Sequence, residues 1–217
     1  MLVKKAIGVV IVDHYKILRE ALRHVLAGYS DIELLGEAED GFGAIDLVRK
    51  GSVDVIILEP TIPNKVGIDI TKEIVALNVK TRILILTVDT THQHAFRLLR
   101  AGAMGWLPKT VGAEEVVRAI RMVHDGKVYL PLDLQRLFAE QYVNPDRMTQ
   151  PEESLSDREF QVMRLLASGH TNREIAGMLF IGVKTVDTHR ANILRKLSLR
   201  NNSDITRFAI QHGFVKL

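Results

Sequence analysis

The chain has no cysteine among its 217 residues. Disulfides and thiolate metal sites are thereby excluded, and a reducing compartment fits. No apolar run approaches transmembrane length, so no membrane span is expected. Lys4-Lys5 followed by Ala6–Val12 faintly resembles a signal peptide. The apolar run is short, Asp13 ends it, and no small-residue cleavage site follows, so it reads as a buried strand. Phosphate-binding loops are missing too: there is no GxxxxGK followed by Ser or Thr, and no GxGxxG after a strand. Gly28, Gly41, Gly51 and Gly102 punctuate helix ends or turns instead. The expectation is a cytoplasmic protein that is not an enzyme and has no cofactor and no resident metal.

Charge is unevenly spread. The net charge is +3, but residues 154–217 carry ten Lys/Arg against five Asp/Glu, and the rest of the chain is slightly acidic. A basic excess gathered in one short segment suits phosphate neutralisation on nucleic acid. The length allows one large or two small domains.

That basic segment holds the most informative stretch, Leu155–Leu197. Ser156 with Glu159, and Thr171 with Glu174, fit two capping boxes, each opening a helix. Gly169 stands where the first helix needs a left-handed residue. After a joint at Phe180–Gly182, a third helix places Val186, Ile193 and Leu197 on one face, with His189 on its flank. Lys184, Thr188, Ala191 and Arg195 point the other way, with Asp187 and Asn192 at the edges. Slim groups to reach base edges and basic borders for phosphates are what a major-groove helix needs.

This segment resembles the helix-turn-helix output domain of the LuxR/NarL/FixJ class of bacterial transcription regulators. LSDRE, T-N-R-E-I-A at 171–176, V-K-T-V-D-T-H-R at 183–190 and I-L-R-K-L at 193–197 carry the resemblance. It implies double-stranded DNA as partner. Lys184, Asp187, Thr188 and Ala191 are the candidates for the groove, and Thr185, Arg190, Asn192, Arg195 and Lys196 for phosphates. Asp187 would repel phosphate but accept from a cytosine amino group. A last helix, Asn202–His212, has Ile205, Phe208 and Ala209 as an apolar stripe. In the resembled family it helps pair two output domains, so a homodimer is expected; closing the four-helix core is its other reading.

Residues 1–126 alternate apolar runs with amphipathic segments. The runs are Ile7–Val12, Ile32–Gly36, Val53–Leu58, Ile83–Leu86 and Gly105–Leu107; helices are expected near 15–27, 41–50, 67–77, 92–101 and 112–124. Five βα units imply a doubly wound parallel sheet with helices on both faces. Function then gathers at the carboxyl ends of the strands. Those ends carry Asp13-His14, Glu59 with Pro60-Thr61-Ile62-Pro63, Thr87, and Trp106-Leu107-Pro108-Lys109.

VDHYKILREAL, GEAEDG, the Thr87 strand and AGAMGWLPKT resemble the receiver domain of two-component response regulators. The implied architecture is a flavodoxin-like α/β receiver followed by a small all-α helix-turn-helix domain. The expected boundaries are 1–126, a linker over 127–153, and 154–217. By the resemblance, Thr87 and Lys109 contact a phosphoryl group, and Trp106 stands at the switch aromatic. A buried strand aromatic with no switching role is the other reading of Trp106.

The sequence departs from the receiver pattern at two positions. His14 replaces the second acid of the usual pair, and Glu59 replaces the phosphoacceptor Asp. The family's Mg²⁺ needs oxygen ligands, whereas His14 offers nitrogen. The extra methylene of Glu59 displaces its carboxylate by about 1.5 Å. A misplacement of ~1 Å in a reacting group costs on the order of 100-fold. The expectation is a pseudo-receiver in which Glu59 pairs with Lys109 and His14 sits beside Asp13. Residual phosphorylation and a transition-metal site at Asp13, His14 and Glu59 are the alternatives.

Within the linker, Val128–Pro131 is expected along the receiver, Asp133–Tyr142 as a helix, and Asn144–Glu153 as a tether. Thr90-Thr91-His92-Gln93-His94 reads as a loop and helix start with solvated histidines rather than a metal site. Three functions compete with an unphosphorylated DNA-binding regulator. They are a module that binds a partner protein through the receiver, a conventional phosphorylation switch, and control by a small molecule.

Overall fold

The computed structural model describes residues 5–62, 66–77, 80–89, 91–143 and 154–215. The chain forms two compact units, residues 1–135 and 136–217.

The first unit alternates strands and helices: β1 (Ile7–Val12), α1 (Lys16–Leu26), β2 (Ile32–Ala38), α2 (Gly41–Arg49), β3 (Val55–Leu58), α3 (Gly67–Ala76), β4 (Arg82–Thr87), α4 (His92–Arg100), β5 (Gly105–Pro108) and α5 (Ala113–His124). The strands form one parallel sheet in the order β2-β1-β3-β4-β5. Every residue of β1 and β3 is buried. That is why those runs are Val, Ile and Leu without alternation. β2, at the edge, mixes buried, half-buried and exposed positions.

Side chains alternate between the two faces. Val9, Ile11, Val55, Ile57, Leu84, Leu86 and Leu107 pack with Leu22 and Leu26 of α1 and Val116, Ile120 and Val123 of α5. The alternate set, including Val10, Ile56, Leu58 and Ile85, is equally buried. It is left for α2, α3 and α4.

Two boundaries differ from the sequence reading. β2 continues past Gly36 to Ala38. β3 begins at Val55 and not at Val53; just before it, Asp54 bonds Gly8 twice, its N–H donating to the Gly8 carbonyl at 2.8 Å and its carboxylate accepting the Gly8 N–H at 2.8 Å. Beyond α5, Tyr129 does run along the sheet: it accepts from the Trp106 N–H and donates its own N–H to the Met104 carbonyl. α6 (Leu132–Val143) follows and crosses from one unit to the other. The expected tether, Asn144–Glu153, lies outside the described residues.

The second unit has α7 (Asp157–Ala167), α8 (Asn172–Leu179), α9 (Val183–Lys196) and α10 (Asn202–Gln211). Both expected capping boxes are present, at Ser156/Glu159 and Thr171/Glu174. Gly169 has φ +89°, the left-handed turn expected after α7. Asn201 caps α10, accepting from the Asp204 N–H at 3.0 Å. Phe160, Val162, Met163, Ile175, Val186, Ile193, Ile205 and Ala209 form its interior. No described helix is long and apolar enough to cross a membrane.

Candidate functional site

The strand order reverses between β1 and β3. Chains leaving those two strands diverge, and a crevice opens at their carboxyl ends. Asp13 follows β1 and Glu59 follows β3, so the two acids face each other across that crevice. Thr87 ends β4 and Lys109 follows β5. The topology thus brings four of the residues singled out above into one site.

Glu59 is 1% exposed, and its carboxylate is fully engaged. Oε1 accepts from the Thr61 N–H at 2.8 Å and the Thr87 hydroxyl at 3.0 Å. Oε2 lies 2.9 Å from Lys109 Nζ, with the Val88 N–H at 3.4 Å. The loop after Glu59 is held at Gly67, whose N–H donates to the Pro60 carbonyl at 3.0 Å. A Cβ on Gly67 would fall 2.2 Å from Pro60 Cβ, so only glycine permits this approach. Pro63 lies outside the described residues.

Lys109 also reaches Asp13, with Nζ 2.5 Å from Oδ2. Burial alone would lower the Lys109 pKa; its side-chain interactions with the Asp13 and Glu59 carboxylates, which accept from it, outweigh burial and hold the ammonium above the usual lysine range. The other oxygen of Asp13 accepts the Tyr15 N–H at 2.8 Å. Arg19 donates to the Asp13 carbonyl at 2.5 Å and to Glu37 at 3.3 Å. The expected pair of His14 with Asp13 is corrected: Lys109 takes Asp13, and the His14 ring packs on Tyr15 with centroids 3.8 Å apart. His14 Nδ1 and Trp106 Nε1 are both buried and find no hydrogen-bond partner among the described residues.

These residues do not fit a divalent cation. An ammonium already sits against both carboxylates, and His14 holds an imidazole where the pair's second acid is expected. Among the described residues no group of three or more His, Cys, Asp or Glu is placed to hold a metal. The histidines after β4 also need correction. His94 is buried, not solvated, because its Nδ1 lies 2.9 Å from Asp89 Oδ2. His92 lies 3.6 Å from Asp133, and Thr90 lies outside the described residues.

In the second unit α9 turns Val186 and Ile193 inward and Lys184, Thr185, Asp187, Thr188, Ala191 and Arg195 outward. Thr188 donates to the Lys184 carbonyl at 3.0 Å. Asp187 accepts from Asn172 at 2.5 Å, which ties α8 to α9. Arg190 donates to Asn202 at 2.5 Å, and Arg195 to Asn192 at 3.0 Å. Lys196 is exposed, yet its ammonium reaches back to the start of α7, donating to Glu159 at 2.7 Å and to the Ser154 carbonyl at 3.0 Å. Burial would raise the Glu159 pKa, but the Lys196 and Ser156 bonds prevail and hold it below the ordinary range. His189, flanking the buried stripe, is lowered by burial.

Residue choice at the α8–α9 joint was not foreseen. Phe180 caps α8 in the left-handed conformation, φ 52° and ψ 46°, and is 60% exposed. For a residue with a Cβ this costs roughly 1–2 kcal/mol, and no burial offsets it. Gly182 caps α9 without a side-chain hydrogen bond.

The response regulator receiver domain model matches residues 9–121. The chain is a response regulator. Its second unit matches the bacterial regulatory protein luxR family over residues 153–209, making it a DNA-binding regulator of the LuxR type. Response regulator UvrY of Escherichia coli is 32% identical over 95% of this chain and 95% of its own length. Response regulator GacA of Pseudomonas aeruginosa is 30% identical, covering 96% of this chain and 98% of itself. Among solved structures, RcsB of Salmonella typhimurium superposes with a TM-score of 0.76 at 22% identity, over 96% of this chain and 99% of that one. RcsB from Salmonella enterica serovar Typhimurium, bound to a promoter with the phosphomimetic beryllofluoride, gives 0.72 at 22% identity over 97% and 100%.

Proposed function

We propose that this response regulator binds its operator through α9 without phosphorylation of its receiver. The observation that carries the reading is the saturation of Glu59. Its carboxylate takes the Thr87 hydroxyl, the Lys109 ammonium and two backbone N–H groups. In the receiver family the hydroxyl and the ammonium contact the phosphoryl group, so Glu59 engages the receptors of the modification from within. It supplies one negative charge where a phosphoryl group supplies nearly two.

We assign the receiver to residues 1–126, the linker to 127–153 and the output domain to 154–217. Lys184, Asp187, Thr188 and Ala191 face the groove; Thr185, Arg190, Asn192 and Arg195 serve phosphates. Lys196 is reassigned from phosphate contact to a tie within the fold. The protein acts as a homodimer on two half-sites in the cytoplasm, where effective concentration multiplies the affinity of each half.

Fluorescence anisotropy on a duplex selected by the purified full-length protein tests this. Titrations with and without beryllofluoride and Mg²⁺ are expected to superimpose. Tighter binding with the mimic would mean that His14 and Glu59 still support a working switch.

A further inference from the structure

Resting on the DNA-binding reading, the geometry points to Val183 and Phe180 as a thymine-reading edge of the interface. Val183 takes the 5-methyl group of a thymine in the major groove. Phe180 covers the contact from the side of the adjacent deoxyribose.

Three observations converge on that edge. Val183 is the first residue of α9 and is 43% exposed, whereas Val186, one turn on, is fully buried. The first residues of a recognition helix are those that reach base edges. An apolar side chain there finds only one apolar group in the groove, the thymine methyl. Lys184 follows directly and is exposed, so an apolar contact stands beside a donor.

The second observation is the strain at Phe180. A position that suits glycine holds a large aromatic in the left-handed region, with most of its surface in solvent. Glycine or asparagine usually fills such a helix end; here a phenylalanine leaves a large apolar surface exposed close to Val183 in the chain. Third, the caps of α7, α8 and α10 use the side chains of Ser156, Thr171 and Asn201, but α9 starts at Gly182. No cap side chain stands between Val183 and an approaching base. The edge is continuous with the outward face of α9, and that continuity selects duplex DNA as its occupant.

The test replaces each thymine of the selected duplex, one at a time, by deoxyuridine. For the full-length protein at least one replacement is expected to weaken binding by ~4-fold, the worth of one buried methyl. In Val183→Ser the same replacement has no effect, so the double-mutant cycle shows coupling. Phe180→Gly is expected to weaken binding several-fold while the melting transition of the output unit rises by ~4–8 °C. A Phe180→Gly protein that melts lower would make Phe180 a structural residue and overturn its role. Absence of coupling at every thymine would overturn the role of Val183. Unchanged affinity in both variants would overturn the proposal as a whole. If no duplex is selected at all, the DNA-binding reading itself fails, and this one with it.

Discussion

The carboxylate of Glu59 lies 2.9 Å from the ammonium of Lys109, and both side chains are at most 10% exposed. The ammonium also serves Asp13, so one cation balances two buried acids. Lys109→Met leaves both carboxylates without a counter-charge. We expect a loss of ~3–5 kcal/mol in receiver stability, the usual effect of breaking a buried pair from one side. Trp106 is the only tryptophan in the chain, so its emission during urea unfolding reports the receiver alone. The Lys109 pKa is raised in the fold. Its stabilisation is therefore complete below the unfolded value of ~10.4 and fades as pH rises through the folded one. Alkaline titration should erase the difference between wild type and Lys109→Met.

Restoring the two acids should restore the chemistry. In His14→Asp/Glu59→Asp the shorter side chain withdraws from Thr87, and a second oxygen ligand joins Asp13. Mg²⁺-dependent labelling by acetyl phosphate is expected in the double variant and not in the wild type. Equal labelling of the two would remove the argument from ligand chemistry.

Arg195 and Lys196 are neighbours with different work. Arg195→Ala should lower the slope of log affinity against log salt by about one. Lys196→Met should leave that slope unchanged and cost ~1.5–3 kcal/mol of output-unit stability through the lost charged hydrogen bond. A reduced slope in Lys196→Met would return that residue to the interface.

Acid should act through Glu159. Its pKa is lowered in the fold, so its contribution is present above the unfolded value of ~4.3 and is lost as pH falls below it. The stability gap between wild type and Lys196→Met is expected to narrow as pH falls through the folded pKa of Glu159, measured by thermal melts across the acid range.

Lys184→Ala is expected to weaken operator binding, and Ser156→Ala to cost about 1 kcal/mol of output-unit stability without touching affinity for DNA. Melting and anisotropy on the same preparations separate the two effects.

Much of this molecule was legible in the sequence because its signals are local. Buried parallel strands show as unbroken Val, Ile and Leu, and a capping box needs two residues three apart. The receiver pocket was found because four side chains sit at strand ends, and a parallel sheet collects strand ends. What escaped reading depends on backbone groups or distant partners. The N–H groups of Thr61 and Val88 on Glu59 leave no mark in residue identity. Lys196 looked like one more cation on a basic helix, since its partner Glu159 lies 37 residues away. His94 looked solvated until Asp89 was placed against it. Phe180 in a left-handed cap runs against local preference, and such conflicts cannot be inferred from preference.

The tie between Lys196 and Glu159 fixes the far end of α9 to the start of α7, whereas its near end follows Gly182, which offers no side-chain cap. Side chains thus tie one end of this helix into the fold and leave the other without a cap. Substitutions in the first turn of α9 leave that tie untouched, so they can accumulate there without loosening the joint between α7 and α9.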